Sequence, residues 1–293
     1  MSSATEHFNK TAESYEAATG GATRELGEHA ISLMTDVKPL TSESRILDNA
    51  CGTGVVTDII LQSAADANMQ PEIHAVDGAE NMVDVVRRRF PSAVSAVSPS
   101  HPNKVHAAVM RGERLRFPDA SFTHSVTSLG LMFFTDAGAG AREIARTLRP
   151  DGGVAVVTGW AAMGHVDVIR AVQARIRPDD APFEPPFSDA WLDPGHTEAV
   201  LAAAGLDVQA STRVDVHMGC ETAEGVARLL TRGFGAKAFE SWSDDEKAEA
   251  AVLIDEIVRE RAVPFTRPSG SGVGIKSTGT IFVARRGSGR VSL

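Results

Sequence analysis

The feature that most constrains the fold is the run Ile46–Gly54, which reads Ile-Leu-Asp-Asn-Ala-Cys-Gly-Thr-Gly. A short apolar start ends in a carboxylate and breaks into small residues, and apolar residues follow at helical spacing over 55–60. This order predicts a buried strand, a tight turn and a helix. Gly52 and Gly54 allow the backbone to approach a ligand closely, because no Cβ intervenes. The unpaired N–H groups and the dipole at the helix N-terminus make this corner suitable for an anionic or polar cofactor.

The residues around the two glycines favour one cofactor class over another. A dinucleotide fingerprint has the spacing G-x-G-x-x-G, but Thr57 stands where the third glycine belongs. Asp48 would repel a pyrophosphate and instead suits a ligand with a cationic group, such as the amino group of S-adenosylmethionine. A nicotinamide-dependent oxidoreductase is the alternative, and both Thr57 and Asp48 argue against it.

The stretch from Asp48 to Gly54 resembles the first motif of the class I S-adenosylmethionine-dependent methyltransferases, which reads D-x-[AG]-C-G-T-G. The resemblance implies a Rossmann-like fold, a methyltransferase activity and S-adenosylmethionine as cofactor. It also implies that Asp48, Ala50, Gly52 and Gly54 contribute to the cofactor site.

A second carboxylate stands at the end of the next predicted strand, residues 72–77. Asp77 follows the glycine turn by about 20 residues, the separation at which a βαβ unit places an acidic residue on a ribose diol. A carboxylate can accept hydrogen bonds from both ribose hydroxyls. We therefore expect Asp77, with Gly78 and Met82 beside it, to bind the cofactor. The arginines at 87–89 are interpreted as a solvated cationic helix end that suits the helix dipole.

A third segment, residues 111–118, resembles the adenine-side motif of the same family, D-A-E-x-L-P-F. Arg111 replaces the usual aspartate. The adenine amino group would then donate to a backbone carbonyl or to Glu113, or Arg111 would stack on the purine face. The resemblance places Gly112 and Glu113 at the cofactor.

The fourth predicted strand, residues 122–129, ends in Ser128 and Leu129. In an open parallel sheet the carboxyl ends of the strands border the ligand crevice, so these two residues should face the cofactor. Phe133 follows them toward the acceptor. The run over 143–153 then resembles the family's helix that precedes the fifth strand.

The order of the predicted elements gives an α/β fold. We expect a doubly wound, mostly parallel seven-stranded sheet with an antiparallel last strand and helical cap insertions. The last two strands are predicted at 206–218 and 275–286, and the Pro-, Ser- and Gly-rich segment 264–274 is predicted to be a turn. A helix is predicted from Ala161 to Ile176.

The whole chain, 1–293, is predicted to be one methyltransferase domain. Residues 1–35 are expected to form an N-terminal helical lid, in which Tyr15 matches the family's F-x-x-x-A-x-x-Y segment, whose tyrosine closes over the methyl donor. Segments 161–195 and 219–272 are predicted to be substrate-side insertions, because long apolar loops in compact domains are usually lids or binding loops.

Composition narrows the range of partners. The net charge is -9, and no basic stripe with interleaved aromatic residues is present, so nucleic acid is not an expected partner. The apolar runs are far shorter than the roughly 20 residues that span a bilayer, so no membrane partner is expected. Two cysteines and 9 histidines without a ligand motif indicate a reducing, cytoplasmic setting and no metal site. Without a long apolar heptad repeat, either a monomer or a homodimer is expected.

The predicted reaction is methyl transfer to a hydrophobic small-molecule acceptor with an oxygen, nitrogen or sulfur nucleophile. Within the family, the chain most resembles the ubiquinone/menaquinone-biosynthesis-like branch and especially fungal thiol methyltransferases. This resemblance implies an acceptor of secondary metabolism. No residue is assigned as a catalytic base. The alternative is a non-catalytic relative that binds S-adenosylmethionine in a regulatory or partner-binding role. Aromatic and ionisable residues near the predicted strand ends and in the loop after them form the candidate acceptor site: Phe133, Trp160, His165, Phe183 and Trp191.

Overall fold

The computed structural model describes residues 4–91 and 104–287, which contain eight strands and eleven α-helices. The strands are β1 (Arg45–Asn49), β2 (Glu72–Asp77), β3 (Lys104–Val109), β4 (His124–Ser128), β5 (Val154–Ala162), β6 (Leu206–Cys220), β7 (Val263–Arg267) and β8 (Gly270–Arg286). The helices are α1 (Ala4–Thr11), α2 (Tyr15–Ala18), α3 (Ala22–Val37), α4 (Val55–Asp66), α5 (Glu80–Arg89), α6 (Ala137–Thr147), α7 (Gly164–Ile176), α8 (Pro194–Ala203), α9 (Ala223–Arg232), α10 (Phe234–Ala238) and α11 (Asp244–Arg261).

The strands form one sheet whose main path runs in the order β3-β2-β1-β4-β5-β8-β6. Strands β1 to β5 pair in parallel, and β8 lies antiparallel between β5 and β6. This path of seven strands with an antiparallel last strand confirms the predicted fold class. The strand order reverses between β1 and β4, which is the position where open α/β sheets bind their ligands.

An eighth strand, β7, pairs with the first part of β8 as a hairpin, from Val263 opposite Gly274 to Arg267 opposite Gly270. The Pro-, Ser- and Gly-rich composition of 264–274 is typical of a turn, so the prediction of a turn is wrong for most of this region. The paired backbone outweighs that local preference. Pro264 is compatible with the strand, since β7 lies off the main path and a proline is tolerated where one side of a strand is unpaired.

Helices cover both faces of the sheet, as the alternating residues of β5 show. Val154 and Val156 belong to the larger apolar cluster, which also holds residues of α3, α7 and α11. Ala155 and Val157 belong to a second cluster together with residues of α6 and α8. Successive side chains of a strand point to opposite faces, so the two clusters lie on opposite sides of the sheet. This is the two-sided covering that a parallel sheet requires.

One helix boundary outside the central strands differs from the expectation. The predicted helix from Ala161 starts later, because β5 continues to Ala162 and pairs there with Thr278. Much of the predicted N-terminal helical region is helical, in α1, α2 and α3. No helix within 4–91 and 104–287 is both long and apolar enough to cross a membrane.

Candidate active site

A cleft of about 270 Å³ opens where the carboxyl ends of β1, β2 and β4 meet. Residues of α1 and α2 form another of its walls. All of the predicted cofactor residues except Gly54 line this cleft: Tyr15, Asp48, Ala50, Gly52, Asp77, Gly78, Met82, Gly112, Glu113, Ser128 and Leu129. The topology therefore brings together residues that are spread over more than a hundred positions of the sequence.

Several residues of the cleft have positive φ angles, a backbone conformation that residues other than glycine rarely adopt. Ala50, after β1, has φ 57°, and Leu129, after β4, has φ 53°. Such positions are costly by about 1–3 kcal/mol each, and they cluster at functional sites where the surrounding structure enforces them. Gly52 has φ 54°, and a Cβ at this position would point into open space. The turn thus presents bare backbone to the cleft, which is the cradle that a closely approaching ligand needs.

Asp48 is held at the base of the cleft by the first turn of α4. Its Oδ2 accepts hydrogen bonds from the Thr57 N–H (3.1 Å) and from the Thr57 hydroxyl (2.7 Å). Only 1% of Asp48 is exposed, and this burial raises the pKa of its carboxyl to about 7, with a smaller contribution from the charge of Asp77. Thr57, which replaces the third glycine of a dinucleotide motif, therefore positions this acid. Oδ1 takes no hydrogen bond from the described residues and remains available to a cationic ligand.

Asp77 connects the turn after β1 to the end of β2. Its Oδ2 accepts from the Gly52 N–H (2.9 Å) and its Oδ1 from the Ala79 N–H (2.8 Å). Burial raises the pKa of the Asp77 carboxyl, while these backbone hydrogen bonds act in the opposite direction. Each carboxylate oxygen keeps a second lone pair, so both can still accept a ribose hydroxyl.

Thr53 is a site residue that the sequence reasoning did not single out. The residue is 3% exposed, and its hydroxyl has no hydrogen-bond partner among the described residues. Because buried hydroxyls are normally paired, this group fits a ligand that supplies the missing partner. The cleft thus combines two acids, a bare turn and an unpartnered hydroxyl. This donor and acceptor set fits S-adenosylmethionine, which carries an amino group, a carboxylate and a ribose diol.

Gly54 is the one predicted cofactor residue that does not line the cleft. It is the N-cap of α4 with φ 82°, a conformation that favours glycine. A Cβ there would lie 3.0 Å from the Phe90 ring and 3.2 Å from Val86, so the glycine also allows the start of α4 to pack against α5. Helix packing therefore explains why a glycine stands at position 54. A direct contact between Gly54 and the cofactor stays a prediction.

The adenine-side segment is organised around Glu113. This carboxylate accepts from the Thr135 N–H (2.8 Å) and forms an ion pair with Arg111 at 3.2 Å. Burial opposes ionisation, but these contacts lower the pKa of Glu113 overall. The Arg111 side chain is 64% exposed and also donates to the Thr135 hydroxyl. Arg111 therefore lies at the rim as the partner of Glu113. Gly112 lies against Phe134, whose ring a Cβ would overlap.

The N-terminal helices are fastened to α5. Asn81 donates from its N–H to Oδ1 of Asn9 and from its side-chain amide to the Asn9 carbonyl, both at 2.9 Å. Arg88 pairs with Glu13. The Arg88 side chain is nevertheless 59% exposed, which agrees with the interpretation of the arginines at 87–89 as a solvated helix end.

The expectation of a solvated helix end is wrong for Arg89, whose side chain is 26% exposed and belongs to a partly buried ion network. Arg89 contacts Glu16 of α2 and Asp58 of α4, each at 2.9 Å. Arg24 of α3 contacts the same two carboxylates, also at 2.9 Å. The network ties α2, whose Tyr15 lines the cleft, to the elements beneath it.

One side of the cleft is aromatic. The ring of Phe8 lies 5.9 Å from Tyr15 and 5.0 Å from Phe133, and all three residues line the cleft. Phe187, from the loop after α7, extends this row at 5.6 Å from Phe133. Phe8 and Phe187 were absent from the predicted acceptor residues. Phe8 is the phenylalanine of the F-x-x-x-A-x-x-Y segment, whereas the only sequence signal of Phe187 is that it lies in a segment predicted to cover the site.

The other predicted acceptor residues lie outside this cleft. Trp160 is 8% exposed within the larger apolar cluster, and its ring lies 6.5 Å from that of His165 at the start of α7. Burial lowers the pKa of His165 to about 4. Phe183 and Trp191 are partly buried against the apolar clusters. The cleft thus gathers Phe133 but not these four, and their contact with an acceptor stays a prediction.

Comparison with known proteins agrees with this geometry. Residues 46–152, which include the turn, both acids and the adenine-side segment, match a protein-family model described as a methyltransferase domain. Methyltransferase tpcH of Aspergillus fumigatus is 24% identical over 216 residues, which cover 71% of this chain and 71% of that protein. Methyltransferase ucsB of an Acremonium species is 28% identical over 177 residues, which cover 59% of this chain and 60% of that protein.

The chain carries an S-adenosylmethionine-dependent methyltransferase domain over residues 46–152. The crystal structure of the YcgJ protein of Bacillus subtilis supports the fold, with a TM-score of 0.52 at 16% identity over 89% of this chain and 99% of that one. S-adenosylmethionine is therefore the cofactor of this methyltransferase. The nicotinamide alternative is not supported, and neither is the non-catalytic one.

Proposed function

We propose that this methyltransferase acts on a hydrophobic small molecule, at an oxygen, nitrogen or sulfur atom. The observation that carries the proposal is the aromatic row of Phe8, Phe133 and Phe187 beside the polar half of the cleft. An apolar acceptor would gain from contact with these rings, whereas a phosphorylated one would be desolvated against them without compensation. A net charge of -9 also disfavours nucleic acid as the acceptor.

Bound S-adenosylmethionine supplies a methyl group that its sulfonium charge already activates. The contribution of the chain is then to fix the donor, align the acceptor and exclude water. In this proposal Asp77 binds the ribose and Asp48 the amino group. Ala50, Gly52, Gly78, Ser128 and Leu129 shape the walls around them, while Met82, Gly112 and Glu113 lie on the adenine side. Tyr15 and Phe8 close the cleft from the N-terminal helices.

The acceptor's nucleophile would receive little help from a general base. The described lining of the cleft contains no histidine. Tyr15 is protonated at neutral pH, because burial, together with the charge of Asp77, raises its pKa to about 12. A thiol, whose ordinary pKa is about 8.5, ionises without such a base and suits this cleft. This agrees with the resemblance to fungal thiol methyltransferases, and a role in secondary metabolism forms part of the proposal.

The domain organisation follows from the same proposal. The chain acts as one domain, in which residues 1–35 serve as the lid over the donor. Segments 161–195 and 219–272 shape the acceptor side, where Trp160, His165, Phe183 and Trp191 would contact the larger part of an acceptor. We further propose a ubiquinone/menaquinone-biosynthesis-like branch, a cytoplasmic location and a monomer or homodimer.

The direct test is a product search. The full chain is incubated with methyl-labelled S-adenosylmethionine and a panel of apolar thiols, phenols and amines, and products that gain one methyl group are identified by mass spectrometry. We expect turnover with apolar members and none with their phosphorylated analogues. Turnover of the phosphorylated analogues alone would refute the aromatic acceptor site. Cofactor binding with no product from any compound would instead favour a non-catalytic binding protein.

Alanine variants of the aromatic residues test where the acceptor binds. Phe133→Ala and Phe187→Ala are expected to raise the KM for the acceptor by about tenfold, because each removes ring contacts of an apolar ligand. Their Kd for S-adenosylhomocysteine should change much less. Trp191→Ala tests one of the acceptor residues predicted from the sequence. A higher KM for the acceptor in this variant would assign Trp191 to the acceptor site. Phe117→Ala, an aromatic truncation outside the cleft, is the control, and an equal rise there would refute the assignment.

A further inference from the structure

Three potential metal ligands lie together on the outer strands of the sheet, away from the cleft. Glu72 and His74 are two positions apart on β2, so their side chains lie on the same face. His106 of β3 is the register partner of His74. The two imidazole rings stack with their centroids 4.7 Å apart. None of the three residues lines the candidate active site.

The ligand atoms have the separations that a metal ion requires. Nε2 of His74 lies 2.9 Å from Oε1 of Glu72, and Nε2 of His106 lies 3.5 Å from the same oxygen. One ligand atom from each residue can be chosen so that all lie within 4.8 Å of one another. In a tetrahedral zinc site with bonds of 2.0–2.2 Å, neighbouring ligand atoms are about 3.4 Å apart. Small side-chain rotations therefore suffice to surround an ion.

We propose that Glu72, His74 and His106 form a binding site for a divalent transition-metal ion, with Zn²⁺ as the reference ion. Two imidazoles and one carboxylate are ligands that suit zinc, whereas calcium and magnesium prefer oxygen alone. Water would complete the coordination, because the His106 side chain is 49% exposed.

The positively charged side chain of Arg45 competes with a metal ion for Glu72 and His74. It is the register partner of Glu72 on β1, and its Nε lies 3.3 Å from Oε2 of that carboxylate. Its Nη2 also lies 3.4 Å from Nε2 of His74. The guanidinium thus supplies positive charge where a cation would bind, and it must move aside or tolerate the ion. If the three residues bind a metal ion, removing the Arg45 guanidinium should tighten Zn²⁺ binding. If they form only a hydrogen-bonded cluster, removing Arg45 should not tighten it.

A metal ion at this site would stabilise the edge of the sheet. β3 is the terminal strand of the main path and pairs only with β2 among the described strands. A metal ion bound by both strands would fasten β3 at the His74–His106 pair. The chain that follows β3 carries Gly112 and Glu113 to the cofactor cleft, so the ion would stabilise the support of that wall without entering the cleft.

The test uses the full chain, freed of metal with a chelator, and Zn²⁺ alone as the probe. A Cys220→Ser background removes the half-buried thiol that could bind zinc elsewhere. Affinity is measured by competition with a chromophoric chelator, and Co²⁺ absorption reports the coordination geometry. We expect one Zn²⁺ per chain and a higher melting temperature with Zn²⁺.

The variants decide the outcome. His106→Ala should weaken Zn²⁺ binding by about tenfold or more, and Arg45→Met should tighten it several-fold. His29→Ala, which removes an exposed histidine on α3, should leave binding unchanged. Melting of the metal-free variants shows that each one folds. Unchanged affinity in His106→Ala, weaker binding in Arg45→Met, or no Zn²⁺ bound by the parent chain would each overturn the proposal.

Discussion

Asp48 should make cofactor binding depend on pH around neutrality. Burial raises the pKa of this carboxyl to about 7, so near pH 7 the protein without cofactor is a mixture of protonated and ionised forms. The sulfonium and amino groups of S-adenosylmethionine favour the ionised form. The cofactor must therefore bind more tightly as pH rises through 7, and binding must release a proton.

The size of the effect follows from the fraction of ionised Asp48. With a pKa of about 7, roughly a tenth of the groups are ionised at pH 6 and roughly nine tenths at pH 8. A ligand that binds only the ionised form has an apparent Kd divided by this fraction. Affinity should thus increase about tenfold from pH 6 to pH 8, with about half a proton released per ligand at pH 7.

Isothermal titration calorimetry with S-adenosylhomocysteine, repeated in buffers of different ionisation enthalpy, measures both quantities. Burial also raises the pKa of Asp77, which acts in the same direction, and the ligand's own amino group titrates. The decisive quantity is therefore the difference between the parent chain and Asp48→Asn, which keeps Asp77 and the same ligand. An equal pH slope in both proteins would refute the assignment of the amino-group contact to Asp48.

Three further outcomes are expected. Asp77→Ala should weaken S-adenosylmethionine binding more than tenfold in calorimetry, because a hydrogen bond to a charged group is worth about 1.5–3 kcal/mol; unchanged affinity would exclude Asp77 from the site. Gly112→Ala should lower the free energy of unfolding in urea by about 1–3 kcal/mol, because its Cβ would overlap the Phe134 ring. Gly195→Ala, where the Cβ meets only ordinary contacts, serves as the control. Since burial lowers the pKa of His165 to about 4, its contribution to stability should be lost as pH falls from 6.5 to 4, by at most about 3 kcal/mol, and denaturation of His165→Leu should lack this loss.

The cofactor half of the cleft was predictable because its signals are local. Strand, turn and helix around Gly52 are encoded within a few residues, and the acid at the end of β2 follows at a spacing that the βαβ geometry sets. Parallel strand ends then converge whatever the details of the loops. This is why residues as distant as Asp48 and Ser128 could be assigned to one cleft before any contact was known.

Contacts that depend on how elements dock were not predictable in this way. Arg89 reads as a solvated helix end, but the packing of α1 and α2 on α5 brings Glu16 to it. His74 and His106 carry no ligand motif, and only the register of β2 against β3 makes them neighbours. In each case the signal lies in a pairing between segments, which a single sequence does not show.

The division between the two halves of the cleft has a functional consequence. The donor half consists largely of backbone turns and acids that are fixed to neighbouring N–H groups, so a substitution there changes the fold of the turn together with cofactor affinity. The proposed acceptor half consists of aromatic side chains from separate segments, and Phe187 reaches Phe133 from a loop with no regular hydrogen-bond ladder. Changes in that loop can alter the acceptor while leaving the Gly52–Asp77 hydrogen bond intact. Acceptor specificity in this methyltransferase should therefore vary with the loop after α7, whereas donor binding varies with the turn after β1.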